Sequence, residues 1–209
     1  MTALTVPDAG ERGDLGAFVA RVVRLDQTAT VRLRAADGLV TAWASTPFDV
    51  LATRAIRGAL DPADVTVPAA SLLTALTVER SETVDPGSGG LWQGELPPVD
   101  GWAPVDDVPA AEVEGLTERG LAVARENAGP LGPPASLLDQ TVLTVFAGPQ
   151  VRGAVKVPLR CLFALSGMGF VGGEDGPVRV SATGTWLRLD ARYGAVVRRR
   201  VTALPLLVS

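Results

Sequence analysis

With 209 residues, 47% of them apolar and 20% charged at a net charge of −4, the chain is too hydrophobic to stay disordered and long enough for one large core or two small ones. It contains no histidine, which removes the commonest general base and the commonest metal ligand together and excludes Ser-His-Asp and Cys-His catalysis. No apolar run approaches the roughly 20 residues that span a bilayer, and Met1 to Arg12 lacks the basic start and apolar stretch of a secretory signal, so a cytoplasmic protein with no membrane attachment is expected.

The first twelve residues read as a loose terminus. Asp14 then fits an N-cap, and Leu15, Phe18, Val19 and Val22 recur at helical spacing, predicting a helix that ends near Asp26 or Gln27 with Arg24 opposite its apolar stripe and Arg21 on the flank. From Thr30 the period changes to two. Val31, Leu33 and Ala35 share one face, Arg32 and Arg34 the other, and Asp37-Gly38 supplies a hairpin turn before a returning strand to about Ser45. A further strand is expected from about Val50 to Arg57, with a turn at Asp61-Pro62. Val65-Thr66-Val67-Pro68-Ala69-Ala70-Ser71-Leu72 then reads as a strand ending on a proline that opens a short apolar helix. Beyond it, Thr77 to Val84 and Leu91 to Leu96 flank the turn-rich run 85–90 and are expected to form a hairpin.

Pro97, Pro98, Gly101 and Pro104 form the best candidate linker and place a boundary near residue 105, giving halves 1–105 and 106–209. Asp107 as cap and Pro109 in the first turn open a second long helix, with Val113, Leu116, Gly120 and Ala124 on one face down to about Glu126. A strand over about Thr141 to Phe146 leads to Val155-Lys156-Val157-Pro158-Leu159-Arg160-Cys161-Leu162, a second copy of the strand-proline-helix phrase. Gly167 to Gly176 reads as a loop. Three strands close the chain, at Val178 to Ala182, Thr185 to Asp190 and about Ala195 to Val201. Each half is therefore expected to run from a longer helix through strands to V-x-V-P and a short helix, finishing in a meander, an α+β fold with an internal repeat.

Those elements resemble the bacterial DNA polymerase sliding clamps, whose repeated unit is a helix, strands, a valine-proline helix start and a strand meander. The resemblance runs from Val31-Arg32-Leu33-Arg34-Ala35-Ala36-Asp37-Gly38-Leu39 through Val65 to Pro68 and on to Trp102, and in the second half from Val155 to Pro158, then through Gly173-Glu174-Asp175-Gly176-Pro177-Val178-Arg179-Val180 and the strands that follow. It implies a clamp-like fold, and helices that line a channel and offer cations to phosphates. The cations in position are Arg21, Arg24, Arg119, Arg125, Arg152, Lys156 and Arg160. Against them stand Glu112, Glu114, Glu118 and Glu126 on the second long helix, a thin lining for a DNA channel, since phosphate neutralisation supplies most sequence-independent affinity. Only two halves are present, so a closed ring would need several subunits.

Net charge is −1 over residues 1–78, −9 over 79–149 and +6 over 150–209, which suggests self-complementary packing between halves or subunits, or an asymmetric surface for a charged partner. Arg198-Arg199-Arg200 is the densest basic run, read as a solvated edge strand guarding against pairing. Gly167-Met168-Gly169-Phe170-Val171-Gly172 spells G-x-G-x-x-G, but it follows a helix and precedes a turn, the reverse of a dinucleotide site, so it reads as a loop. Asp106-Asp107 and Glu174-Asp175 are expected in loops, as caps and solvated charge. Cys161, the single cysteine, reads as a buried reduced thiol. Trp43 and Trp186 read as core or sheet-face residues, while Trp92 and Trp102, in Gly- and Pro-rich surroundings, are candidates to anchor a partner. Arginine carries nearly all the positive charge, with Lys156 the one lysine, a bias associated with high-GC bacterial genomes.

With no catalytic residues, metal site or cofactor expected, the sequence reads best as a non-enzymatic, clamp-like binding or scaffolding protein, its partner being another protein or a further copy of itself. The alternative is nucleic-acid binding, by a DNA-encircling clamp or by a winged-helix-like C-terminal half with Pro158 to Gly167 as recognition helix and Thr185 to Val201 as wing. An enzyme working with arginine and carboxylates alone is a third reading.

Overall fold

The computed structural model describes residues 2–78, 81–130, 132–146, 154–172 and 176–200. In chain order the first half holds β1 (Ala3–Thr5), α1 (Ala9–Leu25), β2 (Thr30–Ala36), β3 (Leu39–Thr46), β4 (Val50–Arg57), β5 (Ala59–Asp61), β6 (Asp64–Pro68), α2 (Ala69–Val78) and β7 (Thr83–Val84). The second holds β8 (Ala103–Pro109), α3 (Ala110–Glu126), α4 (Ala135–Leu138), β9 (Thr141–Phe146), β10 (Ala154–Pro158), α5 (Leu159–Gly167), β11 (Pro177–Ala182), β12 (Trp186–Ala191) and β13 (Gly194–Arg199). The fold is α+β, each half pairing a 17-residue helix with a short one and with antiparallel strands.

Eight strands form one antiparallel sheet in the order β6-β2-β3-β4-β13-β12-β11-β8, and that order reads alike from either edge. Outermost is a strand that runs into a helix, β6 into α2 and β8 into α3. Next comes a three-strand meander, β2-β3-β4 or β11-β12-β13. The meanders meet at the centre, where Ala195, Val196 and Val197 of β13 pair with Thr53, Ala52 and Leu51 of β4. Two small sheets repeat the correspondence, since β1, which precedes α1, pairs with β7 after α2, and β10, which precedes α5, pairs with β9 after α3. Four strand-to-helix junctions result, and each carries Val-Pro: Val6-Pro7, Val67-Pro68, Val108-Pro109 and Val157-Pro158. All four valines are buried, fixing the strand end in the core, while each proline stops the ladder and presets φ for the turn into the helix.

The alternation in β2 and β3 determines the two faces of the sheet. Val31, Leu33, Val40, Ala42 and Ala44 point into the main core with Leu15, Phe18, Val19 and Val22 of α1, and Arg32, Arg34 and Trp43 point the other way. Asp37 and Gly38 both have positive φ, 52° and 76°, the conformation a two-residue hairpin turn requires. Helices α3 and α5 touch where Gly120 faces Leu159, and a Cβ added there would lie 2.4 Å from a Leu159 methyl.

Several expectations are corrected. The first helix starts five residues before Asp14, at Ala9, capped by Asp8, whose Oδ1 accepts the Glu11 N–H at 2.8 Å; Gly10, Gly13 and Gly16 obscured its first turns by their poor helix propensity. Asp14 instead pairs with Arg54 on β4. The second long helix starts at Ala110 with Pro109 as its cap residue, and Asp106-Asp107 lies in β8, not in a loop, with Asp107 bonded to Arg179 across the strand pair. The hairpin expected over 77–96 is absent among the described residues: helix α2 continues to Val78, β7 pairs with β1, and 85–102 has no regular structure. The first half therefore has its meander before V-x-V-P and none after it. Arg198 and Arg199 sit on β13, a central strand bonded on both sides, so the edge-guard reading fails. The Glu174-Asp175 pair, and the end of the last strand at Val201, lie outside the described residues.

Candidate functional site

Each face of the sheet holds one of the two sets of candidate residues. The helical layer carries the cations. Arg24 on α1 is exposed and donates to the Gly167 carbonyl at 3.0 Å, and Arg21 is half-buried beside Gly169. Arg119 and Arg125 are exposed on α3, and Lys156 is exposed on β10. Arg152 lies outside the described residues. Arg160 is buried: its guanidinium bonds Asp139 at 2.8 Å and the Phe48 carbonyl at 2.8 Å, with Asp49 at 3.7 Å.

Across the five helices six acidic side chains, two on α1 and four on α3, face six arginines, three on α1, two on α3 and Arg160. The layer carries no excess positive charge. Helix α5 exposes only Ser166, whereas a recognition helix must present side chains to a groove, so the winged-helix arrangement is not formed. Cys161 on this helix is 1% exposed, and burial pushes its thiol up to about 12, which removes it as a nucleophile at neutral pH.

Much of the charge asymmetry between segments is used inside the molecule. Arg198 reaches Asp49 at 3.2 Å and Asp139 at 3.4 Å, so two arginines of the second half, Arg160 and Arg198, grip the β3–β4 turn of the first. Arg179 pairs with Asp107 and Arg199 with Glu95. The hydrogen bond from Arg179 holds the Asp107 carboxyl below the usual range, and the bond from Arg32 does the same for Asp64.

The opposite face holds the tryptophans. Trp43 on β3, Trp186 on β12 and Val197 on β13 form a buried cluster over the seam between the halves, against which Leu51, Trp92, Leu96 and Trp102 pack. The irregular segment 85–102 is thereby a strap across the sheet. It is fastened by the Gly90 N–H to the Thr66 carbonyl at 3.0 Å, by the Thr30 hydroxyl to the Leu91 carbonyl at 3.3 Å and by the Glu95–Arg199 pair, and it is braced internally by the Trp102 Nε1 to the Pro98 carbonyl at 3.0 Å. Arg188, bonded to Asp190 at 2.8 Å, stands 5.9 Å from the Trp102 ring centroid.

Between strap and sheet lies a groove of about 390 Å³. Its floor is Thr41, Trp43 and Thr53, its far wall Arg188 and Ala195, and its near wall Pro97, Pro98, Val99 and Trp102. Thr53 is 4% exposed, and its Oγ1 has no hydrogen-bond partner among the described residues. A buried hydroxyl left open is costly unless something fills the valence. Trp92 Nε1 is likewise buried without a partner.

Trp92 and Trp102, chosen from sequence for their surroundings, are thus brought together with Trp43 and Trp186. Thr53 and Arg188 were missed, and the period-two alternation that puts Thr53 on the face of Trp43 was the available signal. Among the described residues, no three Asp, Glu or Cys side chains come close enough to hold a metal ion.

This two-layer arrangement, helices on one face of a sheet continuous across both halves, is the fold of the bacterial DNA polymerase sliding clamps. The clamp from Bacillus subtilis matches with a TM-score of 0.60 at 13% identity, over 98% of this chain and 66% of that one. The clamp from Caulobacter crescentus matches at 0.57 and 17%, over 99% and 67%, and that from Pseudomonas aeruginosa at 0.56 and 16%, over 93% and 64%. The chain spans about two thirds of the length of these clamps. By sequence it belongs to the family described as Domain of unknown function (DUF8185), whose model matches residues 97–203. A second model, Domain of unknown function (DUF8010), matches residues 1–92. No curated protein matches the sequence. Among the described residues, no helix is long and apolar enough to cross a membrane.

Proposed function

We propose that this protein is a non-enzymatic, clamp-like scaffold that binds partner proteins through the groove between strap and sheet. The observation that carries the reading is Thr53, a nine-tenths buried hydroxyl with an open valence that lies beside Trp43 on the floor of a groove walled by Trp102. An extended peptide fits such a site: one backbone group satisfies the hydroxyl, and an apolar side chain covers the indoles. The halves 1–105 and 106–209 are the two arms that build the groove.

The test is selection of displayed peptides on the full chain, followed by titration of the selected peptides through tryptophan emission. Binding that is lost in Trp102→Ala and weakened in Thr53→Val supports the site. Peptides indifferent to both substitutions, or no selected peptide at all, would overturn it.

A second reading draws on the likeness to DNA polymerase clamps: several copies associate into a ring, and Arg21, Arg24, Arg119, Arg125 and Lys156 meet nucleic acid. The charge balance of the helical layer weighs against tight binding. Retention of duplex DNA at low salt that falls steeply as salt rises, together with a multimeric mass by light scattering, would favour it. A monomer that ignores DNA at low salt would remove it.

A further inference from the structure

On the helical side of the seam lies a second cavity, of about 380 Å³, lined almost wholly by apolar atoms. Phe48, from the β3–β4 turn of the first half, and Phe163 of α5 form one wall together, their rings in edge-to-face contact with centroids 6.0 Å apart. Leu121, Ala124 and Ala128, from α3 and the residues after it, close the rim. The size falls within the range of small-molecule sites, about 300–1,000 Å³. The Phe48 wall is held in place by the buried Arg160, which takes its carbonyl at 2.8 Å.

Two cations stand at the mouth. Arg125 lines the cavity directly, and Arg24 reaches it by donating to the carbonyl of Gly167, itself a lining residue. Neither pairs with a carboxylate among the described residues. An apolar chamber with guanidinium groups at its entrance is complementary to a molecule with a hydrocarbon tail and an anionic head. The lining offers almost nothing to hydrogen-bond, so the main chain of an inserted peptide would leave its amides unsatisfied, which is costly. A hydrocarbon tail bears no such cost, and a carboxylate head matches the planar fork of arginine.

We propose that the cavity over Phe48 and Phe163 is a binding site for a single-chain amphiphile with a carboxylate head, the tail lying across the two rings and the head at Arg24 and Arg125. The site is separate from the strap groove and independent of the scaffold reading, since it lies on the other face of the sheet and shares no lining residue with that groove.

The experiment is calorimetric titration of the full chain with decanoate, kept below its micelle concentration, beside decyltrimethylammonium, which has the same tail and the opposite charge. Saturable decanoate binding at one per chain is expected, with the ammonium compound at least tenfold weaker. The double variant Arg24→Gln/Arg125→Gln should weaken decanoate at least fivefold, and Ala128→Trp should abolish binding by filling the mouth. These three positions are exposed, so both variants should keep the wild-type circular dichroism spectrum. Absence of saturable decanoate binding by the wild type would overturn the proposal, as would equal binding of the two amphiphiles or undiminished affinity in both variants. Loss of decanoate binding without loss of strap-groove peptides would separate the two sites.

Discussion

Helices α2 and α5 begin from the same strand-proline phrase and end in opposite environments. Helix α2 lies toward the outer edge of the first half, and five of its ten residues, Ala70, Ser71, Thr74, Thr77 and Val78, are exposed. Helix α5 lies at the seam, enclosed by α3, α4, β4 and β13, with seven of its nine residues buried. The phrase fixes how each helix leaves its strand, and position in the sheet fixes what the helix then meets. Arg160 therefore occupies a buried cross-half ion-pair network where its counterpart Ala70 faces solvent. The charge on one copy, suggestive of phosphate binding in sequence, serves instead to join the halves.

The comparison can be broken at the position the copies share. Leu72 and Leu162 are both at most 1% exposed, so Leu72→Ala and Leu162→Ala should each cost about 2–5 kcal/mol in denaturant unfolding; a difference well beyond that spread would mean the junctions are not equivalent. The position that differs should separate them. Asp139→Ala leaves the buried Arg160 with the Phe48 carbonyl and one distant carboxylate, at 3.7 Å. Because Asp139 is itself half-exposed, the expected loss is about 2 kcal/mol, below that for a fully buried pair. Ala70→Arg, at the matching site of α2, should change stability by less than about 0.5 kcal/mol.

Glycines sharpen the contrast between the long helices. Gly120→Ala on α3 must displace Leu159 and should cost about 1–3 kcal/mol, whereas Gly13→Ala and Gly16→Ala on α1 meet nothing within 4 Å and should each stabilise by about 0.5–1 kcal/mol. The smallest effect concerns acid. Asp64 has a folded carboxyl below its ordinary value because Arg32 donates to it, so its contribution is present above the unfolded value and is lost as pH falls through the folded one. Below about pH 4 the wild type should lose slightly more stability than Asp64→Asn, read from thermal midpoints against pH; parallel profiles would mean that the pair contributes nothing.

Much of this architecture is legible locally. Period-two alternation located β2 and β4 within a residue, and the apolar spacing of α3 located its end. What failed was non-local or depended on one ambiguous residue type. Glycine in α1 concealed the first turn and a half of helix, and in the edge strand β8 Pro104 looked like linker and Asp107 with Pro109 like a helix start, although edge strands are where a sheet tolerates proline. Two of the four Val-Pro junctions stand out in the sequence as V-x-V-P, whereas Val6-Pro7 and Val108-Pro109 lack a second valine two residues earlier. The strap groove could be anticipated in Trp92 and Trp102 but not in Thr53, whose open hydroxyl is a property of packing. Likewise, no local signal distinguishes a buried arginine such as Arg160 from an exposed one such as Arg24.

The shared sheet also has a mechanical consequence. Because β4 and β13 are joined by a hydrogen-bonded ladder, the two halves cannot swing apart like hinged plates without tearing backbone bonds at the centre. Seven interstrand steps of about 4.8 Å give the sheet a breadth of roughly 34 Å, and its right-handed twist accumulates across all of them. The sheet is thus a stiff twisted platform, and anything bound on either side meets a surface whose twist is fixed in advance.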